Sequence, residues 1–318
     1  MPVVKNQNYV HPELLLGGHL QTIVPSLFRK VPRLPFERER ISTPDGDFLD
    51  LDWLRRGSQN LVVISHGLEG NSQRPYMVGM ADFFSQMGYD VLNWNFRGCS
   101  GELNLQPIFY HSGATYDLEI VVRHACKSYR NTFLIGFSLG GNLTLKFLGE
   151  SDPEKYGIRK AVAISVPLDL GDSADKLSKP GNWLYSQRFL KTLKGKVIAK
   201  AKLFPDLLST KGLDRISTLR GFDDRVTGPL HGFRNASHYY ESCSSIRYLD
   251  QISVPVLILN ALNDPFLSKS CFPEKLGRSL KNVFMEFPYF GGHVGFSPRQ
   301  SGQPYWSEKR SFDFIHFD

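Results

Sequence analysis

The chain has 318 residues, 41% of them hydrophobic and 13% aromatic, with 23 Phe and 13 Tyr, which excludes a disordered or low-complexity protein and allows a large core. The formal charge of +7 is concentrated: nine basic residues and one acid fall between Lys176 and Lys211, a local net of +8. That run reads as the solvated face of an inserted helical segment, with docking to an anionic membrane or an acidic substrate as the sharper alternative, and no nucleic-acid partner is expected.

The first 35 residues, with prolines at 12, 25, 32 and 35, read as irregular. Their opening Met1–Gln7 has no apolar run, and nowhere are there about 20 consecutive apolar residues, so neither a signal peptide nor a spanning helix is expected. The four cysteines (Cys99, Cys126, Cys243 and Cys271) show neither Cys-x-x-Cys spacing nor zinc-type pairing with histidine. A cytoplasmic setting without metal or organic cofactor is the default expectation.

Strand-like segments begin at Phe36. Residues 36–42 and 48–54 flank Pro44-Asp45-Gly46 and read as a hairpin. Leu61–Ser65 is a short continuous apolar run, β-branched at 62, 63 and 64, as in a strand buried on both faces. Strands and helices then alternate: helix 76–87, strand 90–94, helix 115–129, strand 132–135, helix 140–148 and strand 160–165. After a gap come strands 256–259 and 283–287 and a closing helix over 305–317. Such alternation predicts a mainly parallel sheet with helices on both faces. The gap, residues 169–240, carries the basic run and no strand signal. It reads as a helical cap inserted into an α/β core made of residues 1–168 and 241–318.

Gly136-Phe137-Ser138-Leu139-Gly140 is Gly-x-Ser-x-Gly, placed between the strand 132–135 and the helix from Gly140. That is the strand–turn–helix setting of a nucleophile elbow, in which small flanking residues let strand and helix approach closely. His66-Gly67-Leu68 follows the buried strand 61–65, where a loop amide can complete an oxyanion hole, so the backbone N–H groups of Leu68 and Leu139 are the expected donors. Serine needs a base, and the base an orienting acid, in the chain order Ser, acid, His. His293, in Gly291-Gly292-His293-Val294-Gly295-Phe296 after strand 283–287, suits the base. Asp264 follows strand 256–259 at the same carboxyl edge of the sheet and suits the acid. His66, His231, His238 and His316 are the rival bases, and Asp169, Asp223 and Asp224 the rival acids.

Taken together, several stretches resemble the YheT-like branch of the α/β-hydrolases, the AB-hydrolase, embryogenesis-associated-like group. They are Gly17-Gly18-His19-Leu20-Gln21-Thr22-Ile23, His66-Gly67-Leu68-Glu69-Gly70, Asn95-Phe96-Arg97-Gly98-Cys99-Ser100-Gly101, Gly136–Asn142, Gly228-Pro229-Leu230-His231-Gly232-Phe233 and Tyr239-Tyr240. The resemblance runs from about His11 to the C-terminus. It implies an α/β-hydrolase fold, a Ser138–Asp264–His293 triad and carboxylesterase activity through an acyl-enzyme, on an apolar acyl ester or lipid. The alternatives are an acyltransferase that passes the acyl group to an alcohol or thiol, and a non-catalytic ligand-binding protein on the same fold. The Gly17–Ile23 stretch has no role derivable from sequence, and His19 reads as structural.

Overall fold

The computed structural model describes residues 3–4, 9–300 and 302–317. Most of the N-terminal stretch read as lacking a signal peptide therefore lies outside the described residues. In chain order the elements are β1 (Val3–Val4), α1 (Gly17–Phe28), β2 (Glu37–Ser42), β3 (Phe48–Leu54), β4 (Asn60–Ser65), α2 (Pro75–Gln86), β5 (Asp90–Asn95), α3 (Thr115–Ala125), β6 (Asn131–Phe137), α4 (Leu139–Glu150) and β7 (Ile158–Ile164). There follow α5 (Leu170–Leu177), α6 (Trp183–Leu203), α7 (Leu219–Phe222), α8 (Gly228–Leu230), α9 (Ala236–Cys243), β8 (Val256–Leu259), α10 (Glu274–Gly277), β9 (Val283–Glu286) and α11 (Trp306–His316).

The nine strands form one sheet in the order β1-β9-β8-β7-β6-β4-β5-β3-β2, parallel throughout except that β3 runs antiparallel to both β5 and β2. The apolar runs explain this. Val62, Val63 and Ile64 on β4 and Phe133, Leu134 and Ile135 on β6 are all buried, their side chains alternating into two cores on opposite faces of the sheet. The edge hairpin solves a different problem, because β3 is buried along its whole length yet carries Asp50 and Asp52. Cross-strand register places Arg40 opposite Asp50 and Arg38 opposite Asp52, each a two-pronged ion pair.

After β4 the chain crosses to β5 on one side and returns to β6 on the other, so the strand order reverses beside β4. The carboxyl ends of β4 and β6 open on that crevice, where open α/β sheets hold their sites. Residues 169–240 contribute no strand to the sheet. Here α5, α6 and α7 enclose a separate apolar cluster of Leu177, Leu190, Val197, Leu213, Leu219 and Phe222, joined by Phe266 of the core.

One expectation fails. The N-terminal 35 residues are not wholly irregular, because α1 spans Gly17–Phe28 and includes Pro25. Two opening glycines and an internal proline are poor helix formers. The helix forms because its buried residues, Gln21, Thr22 and Pro25, lie on one side and the first two are hydrogen-bonded into the rest of the molecule. Among the described residues no helix is long and apolar enough to cross a membrane.

Candidate active site

Ser138 occupies the turn between β6 and α4 with φ +52° and ψ −118°, a conformation that L-residues rarely adopt. The turn is possible because its neighbours lack side chains. A Cβ on Gly140 would lie 2.5 Å from the carbonyl oxygens of both Ser65 and His66, and one on Gly136 would meet the backbone of Gly140 and Gly141. The turn is pinned by the Ser138 N–H donating to the Ile164 carbonyl, 2.8 Å.

The structure brings Ser138, His293 and Asp264 together. His293 Nε2 lies 3.0 Å from Ser138 Oγ, and His293 Nδ1 lies 2.8 Å from Asp264 Oδ2. The Asp264 side chain is fully buried, and its other oxygen accepts the Phe266 N–H at 2.8 Å. With both carboxylate oxygens accepting, Nδ1 carries the His293 proton and Nε2 presents a lone pair to the serine.

The loop after β4 has a telling pattern. The Gly67 N–H donates to the Tyr76 hydroxyl at 3.0 Å and the Glu69 N–H to the Tyr110 hydroxyl at 2.8 Å. The Leu68 N–H between them has no partner among the described residues. Glu69, at φ +53°, is itself held by Tyr110 and by Lys196 of α6, 2.7 Å away. On the other side of the serine, Leu139 is the first residue of α4, so its N–H has no intrahelical acceptor. Two free amides thus border Ser138.

None of the rivals hydrogen-bonds to Ser138, His293 or Asp264. His66 is buried, its Nδ1 donating to the Gly67 carbonyl and its Nε2 accepting the Phe96 N–H, and burial depresses its pKa to about 3. His231 packs on His111 with ring centroids 4.4 Å apart, and burial lowers its pKa to about 4. His238 accepts the Arg234 N–H, and His316 meets the Tyr89 hydroxyl. Asp169 caps α5, Asp224 accepts the Ala236 N–H, and Asp223 accepts the Tyr240 hydroxyl at 2.6 Å. Burial raises the Asp223 pKa to about 6.

Sequence reasoning missed the function of the Gly17–Ile23 stretch. Gln21 Oε1 accepts the Gly291 N–H at 2.7 Å and the Asn263 side-chain amide at 2.9 Å, while Thr22 Oγ1 accepts the His293 N–H at 2.8 Å. Asn263 in turn accepts the Gly292 N–H at 3.0 Å, and Ser165 accepts the Val294 N–H at 2.9 Å. These contacts hold a loop that otherwise resists its shape, with Val294 at φ +59° and Phe296 at φ +41°. The second opening glycine serves the same purpose, since a Cβ on Gly18 would overlap the Asn263 carbonyl. Arg97, in the Asn95–Gly101 stretch, is buried among Asp45, Asp47 and Asp117 and fixes the loops after β2 and β5.

Two cavities meet at Ser138, sharing Leu68, Phe189 and Phe266 as walls. One, of about 210 Å3, lies between α1 and α6 against Ile23, Leu27, Tyr76, Tyr185 and Tyr305. The other, of about 120 Å3, runs under α5 and α7 against Leu170, Ala174, Leu177, Leu219 and Phe222. A single water needs only about 10–15 Å3, so each can hold a chain of several carbons. Among the described residues no three His, Cys, Asp or Glu side chains group as a metal site requires.

A family profile described as alpha/beta hydrolase fold matches residues 60–299. The chain belongs to the α/β-hydrolase family. Within that family it is 33% identical over 307 residues to YheT of Escherichia coli (strain K12), covering 93% of this chain and 89% of that protein, whose designation as an esterase is itself provisional. This places the hydrolase in the YheT-like branch. It is 31% identical to the phospholipase ABHD3 of Bos taurus, covering 88% of this chain and 72% of that one. Among solved structures, the esterase Pf2001 of Pyrococcus furiosus shares the fold, with a TM-score of 0.60 at 19% identity over 90% of this chain and 96% of that chain.

Proposed function

We propose that this hydrolase cleaves carboxylic esters through an acyl-enzyme on Ser138, with His293 as the base and Asp264 as its orienting acid. The observation that carries this reading is the relay itself: 3.0 Å from Ser138 Oγ to His293 Nε2 and 2.8 Å from His293 Nδ1 to Asp264. Ser138 Oγ attacks the ester carbonyl carbon as its proton passes to Nε2. The Leu68 and Leu139 N–H groups bind the oxygen that becomes negative, each worth about 3–4 kcal/mol when aligned. Collapse expels the alcohol, which takes the proton from Nε2, and water then enters by the reverse route to release the acid.

The cavity pair supports an ester with two arms. The apolar pocket under α5 and α7 suits the acyl chain, and the cavity beside α1 suits the alcohol portion. Residues 169–240 would then act as a cap that dries the reacting bond. A phospholipase relative supports a lipid ester as the substrate class. Four unpaired thiols support a reducing, cytoplasmic setting. The test is Ser138→Ala assayed on short aryl esters together with fluorophosphonate labelling of the parent. Loss of both turnover and labelling is expected; retained turnover refutes the assignment.

A further inference from the structure

The helix α1 is amphipathic the wrong way round. Its polar Gln21 and Thr22 are only 1% and 7% exposed, whereas Leu16, Leu20, Ile23 and Leu27, at i, i+4, i+7 and i+11, are between 36% and 72% exposed. The inward polar face is explained by the His293 loop. Nothing in the fold explains an apolar stripe facing water. It does not stand alone: Trp183 and Leu184, at the start of α6, are 58% and 74% exposed, and the two helices meet where His19 stacks on Tyr185. Ile23 and Leu27 of one helix and Tyr185 and Arg188 of the other line the same cavity that reaches Ser138. The exposed apolar surface therefore rims the mouth of the site.

Cations accompany it. Lys30 follows the end of α1, and Leu184, Arg188 and Lys191 share one outward stripe of α6. Among the described residues the side chains of Lys30, Arg188 and Lys191 have no ion-pair or hydrogen-bond partner. A helix with apolar side chains toward its partner and lysine and arginine at the margin is the arrangement that lies in the surface of an anionic bilayer.

We propose that α1 and the first turns of α6 dock the protein on an anionic lipid surface, with the mouth of the Ser138 cavity pressed against it. The proposal deepens the reading of this site as one for lipid esters, because a lipid would pass from bilayer to cavity without crossing water. Binding itself needs no turnover, so the two ideas fail separately.

The experiment is sedimentation of the full chain with phosphatidylglycerol vesicles and with phosphatidylcholine vesicles at low ionic strength. The parent and Ser138→Ala are expected to partition alike and to prefer phosphatidylglycerol. Leu16→Ser/Leu20→Ser, outside the cavity lining, is expected to weaken partitioning about 10- to 100-fold while hydrolysing a soluble aryl ester at the parental rate. Lys30→Gln/Lys191→Gln is expected to bind phosphatidylglycerol about 25-fold more weakly, with phosphatidylcholine unaffected. Failure of the parent to bind phosphatidylglycerol vesicles overturns the proposal, as does binding insensitive to the leucine pair. A parental dimer in sedimentation equilibrium that Leu16→Ser/Leu20→Ser dissolves would assign the face to a second copy and overturn it too.

Discussion

Thr22→Val tests how His293 is held. Valine keeps the shape of threonine but removes the oxygen that accepts the His293 N–H at 2.8 Å. That amide is then buried without an acceptor, which costs about 1–3 kcal/mol if nothing moves. The loop has a way to avoid that cost, because Val294 and Phe296 sit at positive φ, each storing about 1–3 kcal/mol of strain that a shift would release. The expected outcome is therefore a displaced His293 rather than a merely less stable protein, and a displacement of about 1 Å costs about 100-fold in rate. We expect kcat on a soluble aryl ester to fall about 10- to 100-fold, with KM much less changed. Fluorophosphonate labelling of Ser138 should slow in parallel, and Thr22→Ser, which restores the acceptor, should recover most of both. Parental kcat in Thr22→Val, alongside a measured loss of stability, would show that His293 is held independently of α1 and refute the reasoning.

Asp264→Asn should lower kcat about 10⁴-fold, because the one remaining oxygen is claimed by the Phe266 N–H and an amide NH2 would face His293 Nδ1. A rate within tenfold of the parent would remove Asp264 from the relay. Asp223 titrates from its ordinary 3.8 up to about 6 because burial disfavours its charged form. Its neutral form is favoured in the native state, so its contribution to stability is complete below 3.8 and is lost as the pH rises through about 6. Across that window the parent should lose up to about 3 kcal/mol in urea-unfolding free energy relative to Asp223→Asn, and parallel pH profiles of the two proteins would contradict this.

The parts of the fold that came directly from sequence are those set by local pattern. Buried parallel strands announce themselves as short β-branched runs, as at Leu61–Ser65, and each such strand ends on the same edge of the sheet. That is why Ser138, Asp264 and His293, each just past a strand, are legible from the amino-acid order alone, and why the geometry finds them within hydrogen-bond distance of one another. The hairpin at 36–54 is readable for the same reason, since its turn is local chemistry.

What sequence could not reveal depended on partners far away in the chain. The helical spacing of Leu16, Leu20, Ile23 and Leu27 is visible in retrospect, but Gly17, Gly18 and Pro25 argue against a helix. Its stability comes from Gln21 and Thr22 reaching residues 263, 291 and 293, and no local propensity encodes a contact across 240 residues or more of chain. The direction of the helix was hidden as well, because a hydrophobic stripe normally predicts the buried face and here it marks the exposed one. The surroundings of the two histidines likewise needed tertiary structure: His66 and His293 follow strands in the same way, and only packing shows that Phe96 and Gly67 occupy both nitrogens of one while Ser138 and Asp264 meet the other. Local sequence determines which elements form and on which edge they end; the tertiary structure determines which polar groups are left free, because only packing decides what each one faces.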